Sequence, residues 1–316
     1  MGYKLAGYDV TGFCEIDPRV ASVYEANLKP KLRYVMDLRD FNALGDLPEE
    51  LYDLDILDGS PPCSTFSMSG ARERSWMKAK RFAEGQKLQT LDDLFMVFLD
   101  TVEKLRPKVV VAENVTGLIK GNAKGYVNEV LNRFEELGYS TQMFWLDASE
   151  VGVPQKRERV FFIANRMGYE PIRIEVEPSD PVTFGEARSE NGVELTPDSV
   201  AANLLQHRIP TDRSLKDISL RVRNKYSMFN QVLVHDNRPC DTITAKAILY
   251  RMHDGLKLSR EDIINCSSFP QDYDFGAMSS YTATQFVCGM SVPPKLMEHI
   301  AKQIKEQWLD PEGDKA

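Results

Sequence analysis

The run Leu57-Asp58-Gly59-Ser60-Pro61-Pro62-Cys63-Ser64-Thr65-Phe66-Ser67 opens as a strand and ends on a thiol. Its upstream part, Tyr52-Asp53-Leu54-Asp55-Ile56-Leu57, largely alternates apolar with polar residues over a strand's length. Gly59 and the Pro61-Pro62 pair cannot continue a ladder, so the strand stops there. Cys63 follows at once. In an open α/β sheet, ligands and chemistry collect at strand ends. A thiol on a rigid Pro-Pro turn at such an end is placed to act as a nucleophile. Free cysteine is also among the most often buried side chains, so the turn alone favours a packing residue.

On either side, strands and helices alternate. Val10 to Ile16 reads as a strand ending in Glu15-Ile16-Asp17, and Asp17 caps a helix with Pro18 at its first position. Tyr34-Val35-Met36 is a short strand closing on Asp37. Residues 70–87 are irregular and basic, the pattern of a solvated loop or of a phosphate-binding loop beside the thiol. From Leu88 to Leu105 the apolar residues recur at helical spacing, and Val109-Val110-Val111-Ala112 is a buried-type strand running into Glu113-Asn114-Val115. A helix carrying Val127, Val130, Leu131 and Phe134 comes next. Thr141 to Leu146 and Val160 to Ala164 are two more strands, separated by Gly152-Val153-Pro154-Gln155-Lys156-Arg157-Glu158-Arg159.

This alternation predicts an α/β fold with a doubly wound, mostly parallel, Rossmann-like sheet over residues 1–167. A smaller, irregular domain is expected over 168–285, and residues 286–316 as a last helix returning to the first domain. At this stage the thiol, Glu113 and the Arg157/Arg159 pair are read as lying at one end of consecutive parallel strands. Glu15, an acid at a strand end, suits ribose hydroxyls.

Composition narrows the classes. The chain has 316 residues, 42 % of them hydrophobic and 27 % charged, an ordinary globular balance. No apolar run approaches membrane-spanning length. Five scattered cysteines without CxxC spacing argue for reduced thiols and against a zinc site or a disulfide framework. A net charge of −8 excludes a surface that coats nucleic acid generally, while leaving room for a local basic face.

Taken together, Gly59-Ser60-Pro61-Pro62-Cys63, Glu113-Asn114-Val115 and Gln155-Lys156-Arg157-Glu158-Arg159 resemble three signature motifs of the cytosine-5 DNA methyltransferases, in order. Phe269-Pro270-Gln271-Asp272-Tyr273 and Gly289-Met290-Ser291-Val292-Pro293-Pro294 resemble that family's two closing motifs. The Gly-Ser-Pro-Pro-Cys turn with its long basic loop is most similar to the phage or prophage branch. The resemblance implies S-adenosyl-L-methionine as cofactor, double-stranded DNA as partner, no metal, no membrane, a monomer, and a cytoplasmic location in a bacterial host, as in restriction-modification.

It also implies roles. Cys63 would add to carbon 6 of a flipped-out cytosine, Glu113 would contact ring nitrogen 3, Arg159 the base carbonyl, and Arg157 would lie beside the site and backbone. Glu15, Ile16, Asp37, Pro62, Leu94 and Ser291 would bind the cofactor, and Asn114, Gln155 and Thr242 the substrate. Specificity would reside in roughly 168–260. The chain departs from the family pattern at Ser64 (usually Gln) and Met290 (usually Asn). The family's opening strand and glycine-rich cofactor loop have no counterpart, because Met1 to Gly7 align with the helix after them. That predicts a sheet lacking an interior strand. Two alternatives are a tRNA cytosine-5 methyltransferase and an inactive DNA-binding product.

Overall fold

The computed structural model describes residues 1–61, 94–119, 124–176 and 179–310. Pro62, Cys63, Ser64, the basic stretch 70–87 and the first part of the expected helix, Leu88 and Leu91, lie outside the described residues.

The first part of the chain runs α1 (Gly2–Leu5), β1 (Gly12–Cys14), α2 (Pro18–Leu28), β2 (Leu32–Tyr34), α3 (Leu38–Ala43), β3 (Ile56–Gly59) and α4 (Leu94–Leu105). It continues through β4 (Val109–Val115), α5 (Lys124–Glu136), β5 (Ser140–Asp147) and β6 (Glu158–Asn165). α2 begins where Asp17 accepts a hydrogen bond from the Arg19 amide, with Pro18 in the first turn. Asp37 caps α3 in the same way, taking the Arg39 amide at 2.9 Å. Sequence spacing did not predict that six-residue helix.

The sheet is mixed. β1 pairs with β2 and β3 with β4 in parallel, whereas β6 runs antiparallel to both β4 and β5. The expectation of consecutive parallel strands is corrected here. Only residues 148–157 separate β5 from β6, and a parallel pair needs a crossover of a dozen or more residues.

The sheet's two faces follow the period of two in the sequence. Val110, Ala112, Val160, Phe162 and Ala164 pack against α4 and α5 through Phe95, Leu99, Val130 and Phe134. Val109, Val111, Phe161 and Ile163 face the other way, onto Leu296, Ile300, Ile304 and Trp308. The first three of these belong to α11 (Pro294–Ile304), which thereby covers the second face. Burying each such side chain contributes about 1.5–3 kcal/mol, so the chain's end is part of the sheet's core.

Between β1 and β3 the sheet is interrupted. Among the described residues, β1 hydrogen-bonds only to β2, and β3 only to β4. The residues of both strands are half-buried or exposed, while β4 and β6 are nearly all buried.

The second part contains α6 (Phe184–Ala187), α7 (Val200–Leu205), α8 (Leu215–Arg223), β7 (Gln231–Val234), β8 (Ile248–Arg251), α9 (Arg260–Cys266) and α10 (Tyr281–Met290). Its main core joins Phe184, Val234, Ile243, Leu249, Ile263 and Cys288, and includes Val23 from α2. Asn27 of α2 donates to the Asp274 carbonyl at 2.8 Å and accepts from the Asp274 amide at 2.9 Å.

Candidate active site

Glu113 and Arg159 meet where β4 ends and β6 begins because of strand register. Val115 is directly opposite Arg159 and Glu113 opposite Phe161, so Glu113 and Arg159 are diagonal neighbours on one face. The Arg159 Nε lies 2.7 Å from Glu113 Oε1 in an ion pair, with side chains only 14 % and 12 % exposed. An ion pair so nearly buried fixes both groups in one geometry. The antiparallel direction of β6 is what brings its start, rather than its end, beside Glu113.

Asn114 points to the opposite face. Its Nδ2 donates to the Pro61 carbonyl at 3.1 Å, and its Oδ1 accepts from the Val115 amide. The end of β4 is thereby tied to the backbone two residues before Cys63. The thiol itself and Pro62 lie outside the described residues.

Arg157 and Gln155 are buried rather than open to a substrate. The Arg157 guanidinium donates to the Ile243 carbonyl at 2.9 Å and the Gly289 carbonyl at 2.8 Å. Burial, with Arg159 nearby, pulls its pKa down to about 9, so it stays charged at neutral pH. Its Nε has no partner among the described residues. Gln155 donates to the Cys266 carbonyl and accepts from the Ile243 amide, both at 3.1 Å. Thr242 Oγ1 donates to the Lys156 carbonyl at 2.7 Å. These bonds lash the segment before β6 to residues 240–243 and to α9 and α10. Asp147, not singled out from the sequence, accepts the Arg157 amide at 3.1 Å and the Ser149 amide at 3.0 Å, anchoring the start of that segment.

The cofactor candidates lie around the carboxyl ends of β1 and β2. Glu15 follows β1 and takes the Asp17 amide at 2.8 Å, and Ile16 beside it is half-buried. Asp37 follows β2. Carboxylates at the ends of adjacent parallel strands are acceptors of the kind that ribose hydroxyls and an adenine amino group donate to, so these residues fit an adenosine moiety. Leu94 opens the described part of α4, and Ser291 caps α10 with its hydroxyl on the Val287 carbonyl.

Asp58 in β3 is a further group that sequence reasoning passed over. It is reached by solvent but hemmed in by protein, and this enclosure pushes its carboxyl up to about 6. Tyr3, whose hydroxyl donates to it at 3.1 Å, and the Met1 amino group oppose the rise, while Glu113 adds to it. Among the described residues no group of three His, Cys, Asp or Glu side chains could hold a metal ion, and no helix is long and apolar enough to cross a membrane.

Comparison with known proteins agrees with this geometry. The chain is 28 % identical to the type II methyltransferase M1.HphI of Haemophilus parahaemolyticus, over 96 % of this chain and 82 % of that one. It is 26 % identical to the type II methyltransferase M.AplI of Arthrospira platensis, over 96 % and 81 %. Its fold superposes with a TM-score of 0.67 on a solved DNA modification methyltransferase encoded within an E. coli prophage, at 19 % identity, covering 97 % of this chain and 94 % of that one. The family model for the C-5 cytosine-specific DNA methylases matches residues 1–306. The chain therefore belongs to the C-5 cytosine-specific DNA methylase family, enzymes that methylate carbon 5 of cytosine in DNA.

Proposed function

We propose that this chain methylates cytosine in double-stranded DNA through an adduct on Cys63, with Glu113 and Arg159 as the groups that hold the base. The observation that carries this reading is the ion pair between Glu113 and Arg159 where β4 ends and β6 begins, joined by Asn114 to the turn that precedes Cys63. Carbon 5 of cytosine is a weak nucleophile, and thiolate addition at carbon 6 makes it electron-rich. A free thiol has a pKa near ~8.5 and is a few per cent thiolate at neutral pH, so fixed geometry and nearby cations matter. Glu113 in its protonated form donates a hydrogen bond to ring nitrogen 3 as charge builds there, and Arg159 holds the base carbonyl; once carbon 5 has taken the methyl group, loss of its proton expels the Cys63 thiolate and restores the ring. Arg157 is a positioning residue that seats the segment before β6. The base must leave the duplex, at a cost of a few kcal/mol.

S-adenosyl-L-methionine, when bound, supplies an electrophilic methyl group. Glu15, Ile16 and Asp37 would hold its adenosine, with Pro62, Leu94 and Ser291 around it. Gln155 and Thr242 support the substrate surface by bracing residues 154–157. We divide the chain as catalytic residues 1–167, recognition residues 168–285 and a C-terminal segment 286–316 whose α11 returns to the sheet. The type II methyltransferases that the chain resembles favour a restriction-modification role. The Gly-Ser-Pro-Pro-Cys turn and the basic 70–87 stretch favour the phage and prophage branch, acting as a monomer in a bacterial cytoplasm.

The test offers duplex DNA carrying 5-fluorocytosine, with cofactor, to the wild-type chain and to Cys63→Ala. Fluorine cannot leave as a proton does, so the wild type should be trapped covalently and the variant should not, while both bind DNA. Trapping that persists in Cys63→Ala would make another cysteine the nucleophile. Methylation of tRNA but not of DNA in a parallel assay would move the substrate to RNA.

A further inference from the structure

We infer that residues 220–230, the end of α8 and the loop into β7, dock in a groove of duplex DNA, with Arg223 and Lys225 on phosphates and Tyr226 and Phe229 against base edges. This rests on the DNA reading above and names the residues that carry recognition.

Charge is the first argument. Residues 206–230 hold six cationic and two acidic side chains in a chain whose net charge is −8. Both acids are engaged internally: Asp212 takes Arg221 in two bonds of 2.6 and 2.8 Å, and Asp217 accepts the Ser214 amide and lies 4.0 Å from Lys216. Arg208 is spent on the Met252, Leu205 and His253 carbonyls. Among the described residues, no carboxylate lies within ion-pair distance of Arg223 or Lys225. The excess positive charge therefore points outward, as contacts to a polyphosphate require.

Shape is the second argument. Every residue from Leu220 to Tyr226 is exposed, and Tyr226 and Phe229 are each 71 % exposed. A globular chain that displays two whole aromatic rings on one loop has them for contact. The loop is nonetheless held. Asn224 adopts left-handed geometry at φ 49° and donates to the Leu220 carbonyl, and the Lys225 amide reaches Ser219. Ser219 Oγ bonds the Lys225 carbonyl at 2.9 Å and Ser227 Oγ at 3.0 Å. Lys216 Nζ lies 5.7 Å from the centre of the Tyr226 ring. Rigid aromatics beside free cations suit nucleic acid, where phosphate contacts set the register and apolar contacts to base edges carry sequence.

The loop is also tied to the active site by the chain itself. It runs into β7 and then to Cys240, whose amide and carbonyl bond Pro154 and Lys156 in the segment that carries Arg157 and Arg159.

The experiment measures binding of the full chain to a short fluorescent duplex DNA across a salt series, and in parallel selects from a pool of randomised duplexes. Arg223→Ala with Lys225→Ala should weaken binding to all sequences alike and reduce the salt slope by about 2, at roughly 0.9 per phosphate contact. Phe229→Ala and Tyr226→Ala should keep that slope but lose about tenfold of the preference for the selected sequence over random DNA. All four side chains are exposed, so unchanged thermal unfolding should accompany these effects. If the wild type traps on 5-fluorocytosine DNA while the double variant and both aromatic variants keep its slope and its selected sequence, the inference falls and the catalytic reading stands. If the wild type binds no duplex DNA, both fall. Substitutions that weaken a tRNA probe and leave DNA binding intact would assign the loop to RNA and overturn the inference.

Discussion

At the scale of single residues, the site is a matter of which charges are paired. Arg159 holds Glu113 at 2.7 Å with both nearly buried. Arg159→Ala should lower the single-turnover methylation rate about 100- to 1000-fold, the range for removing one charge-stabilising donor. Glu113→Gln should lower it because the amide has no acidic proton to offer ring nitrogen 3 and no charge to pair with Arg159, with DNA affinity retained in both variants. A rate within threefold of wild type for either would remove that residue from the chemistry. Asp58 gives a prediction with a pH signature. Its carboxyl titrates at about 6 in the folded chain against an ordinary value of 3.8. A raised carboxylate pKa means that the unfolded chain ionises first. Folding is therefore penalised as pH climbs from about 4 to 6, the penalty is complete above 6, and it vanishes below about 4. Asp58→Asn keeps an acceptor for Tyr3 and should stabilise the fold by roughly 1 kcal/mol at pH 7.5, allowing for solvent access. The gain in Tm should shrink to nothing near pH 4. A gain that is equal at both pH values would exclude ionisation as its cause.

At the scale of elements, closeness between segments decides what substitutions do. Gly289 near the end of α10 has no room for a side chain, because a Cβ there would lie 2.4 Å from the Ala245 nitrogen and 2.5 Å from the Thr244 carbonyl carbon. Its own carbonyl accepts Arg157. Gly289→Ala should destabilise the chain by about 1–3 kcal/mol in chemical denaturation, the usual cost of overpacking, while Gly45→Ala, which meets nothing within 4 Å, should be neutral. Equal midpoints for the two would refute this close packing. What the sequence could and could not disclose follows the same physics. α2 was legible because Asp17 and Pro18 mark its start in the chain itself, and β4 because an unbroken Val-rich run suits an interior strand. The direction of β6 was not legible, since a period of two has no polarity, and only the shortness of the β5–β6 connection reveals it. α10 escaped because Tyr281–Met290 carries Thr, Gln, Cys and Gly on faces buried against α9 and residues 244–247, which blurs its apolar stripe. Glu113 and Arg159 stood out as residue types, but the burial of Arg157 and Gln155 as braces depends on segments some ninety residues away.

At the scale of the whole molecule, the interrupted sheet sets the stability map. Interior strands of a doubly wound sheet are covered on both faces and bonded on both edges. β4 and β6 meet that description, whereas among the described residues β1 and β3 have one bonded edge each and remain half-open along Gly12–Cys14 and Ile56–Gly59. The two halves are still linked, because Cys14, Tyr34 and Leu57 pack into one cluster with Phe41 and Leu51 and Tyr3 bonds Asp58. Side-chain contact without backbone pairing leaves strand edges free to exchange with water. We therefore expect the amides of β1 and β3 that face the gap to exchange hydrogen fast, near the low end of the opening free-energy range, and those of β4 and β6 to approach the global value. If the β1 and β3 amides prove as protected as those of β4 and β6, the interruption does not set the stability map.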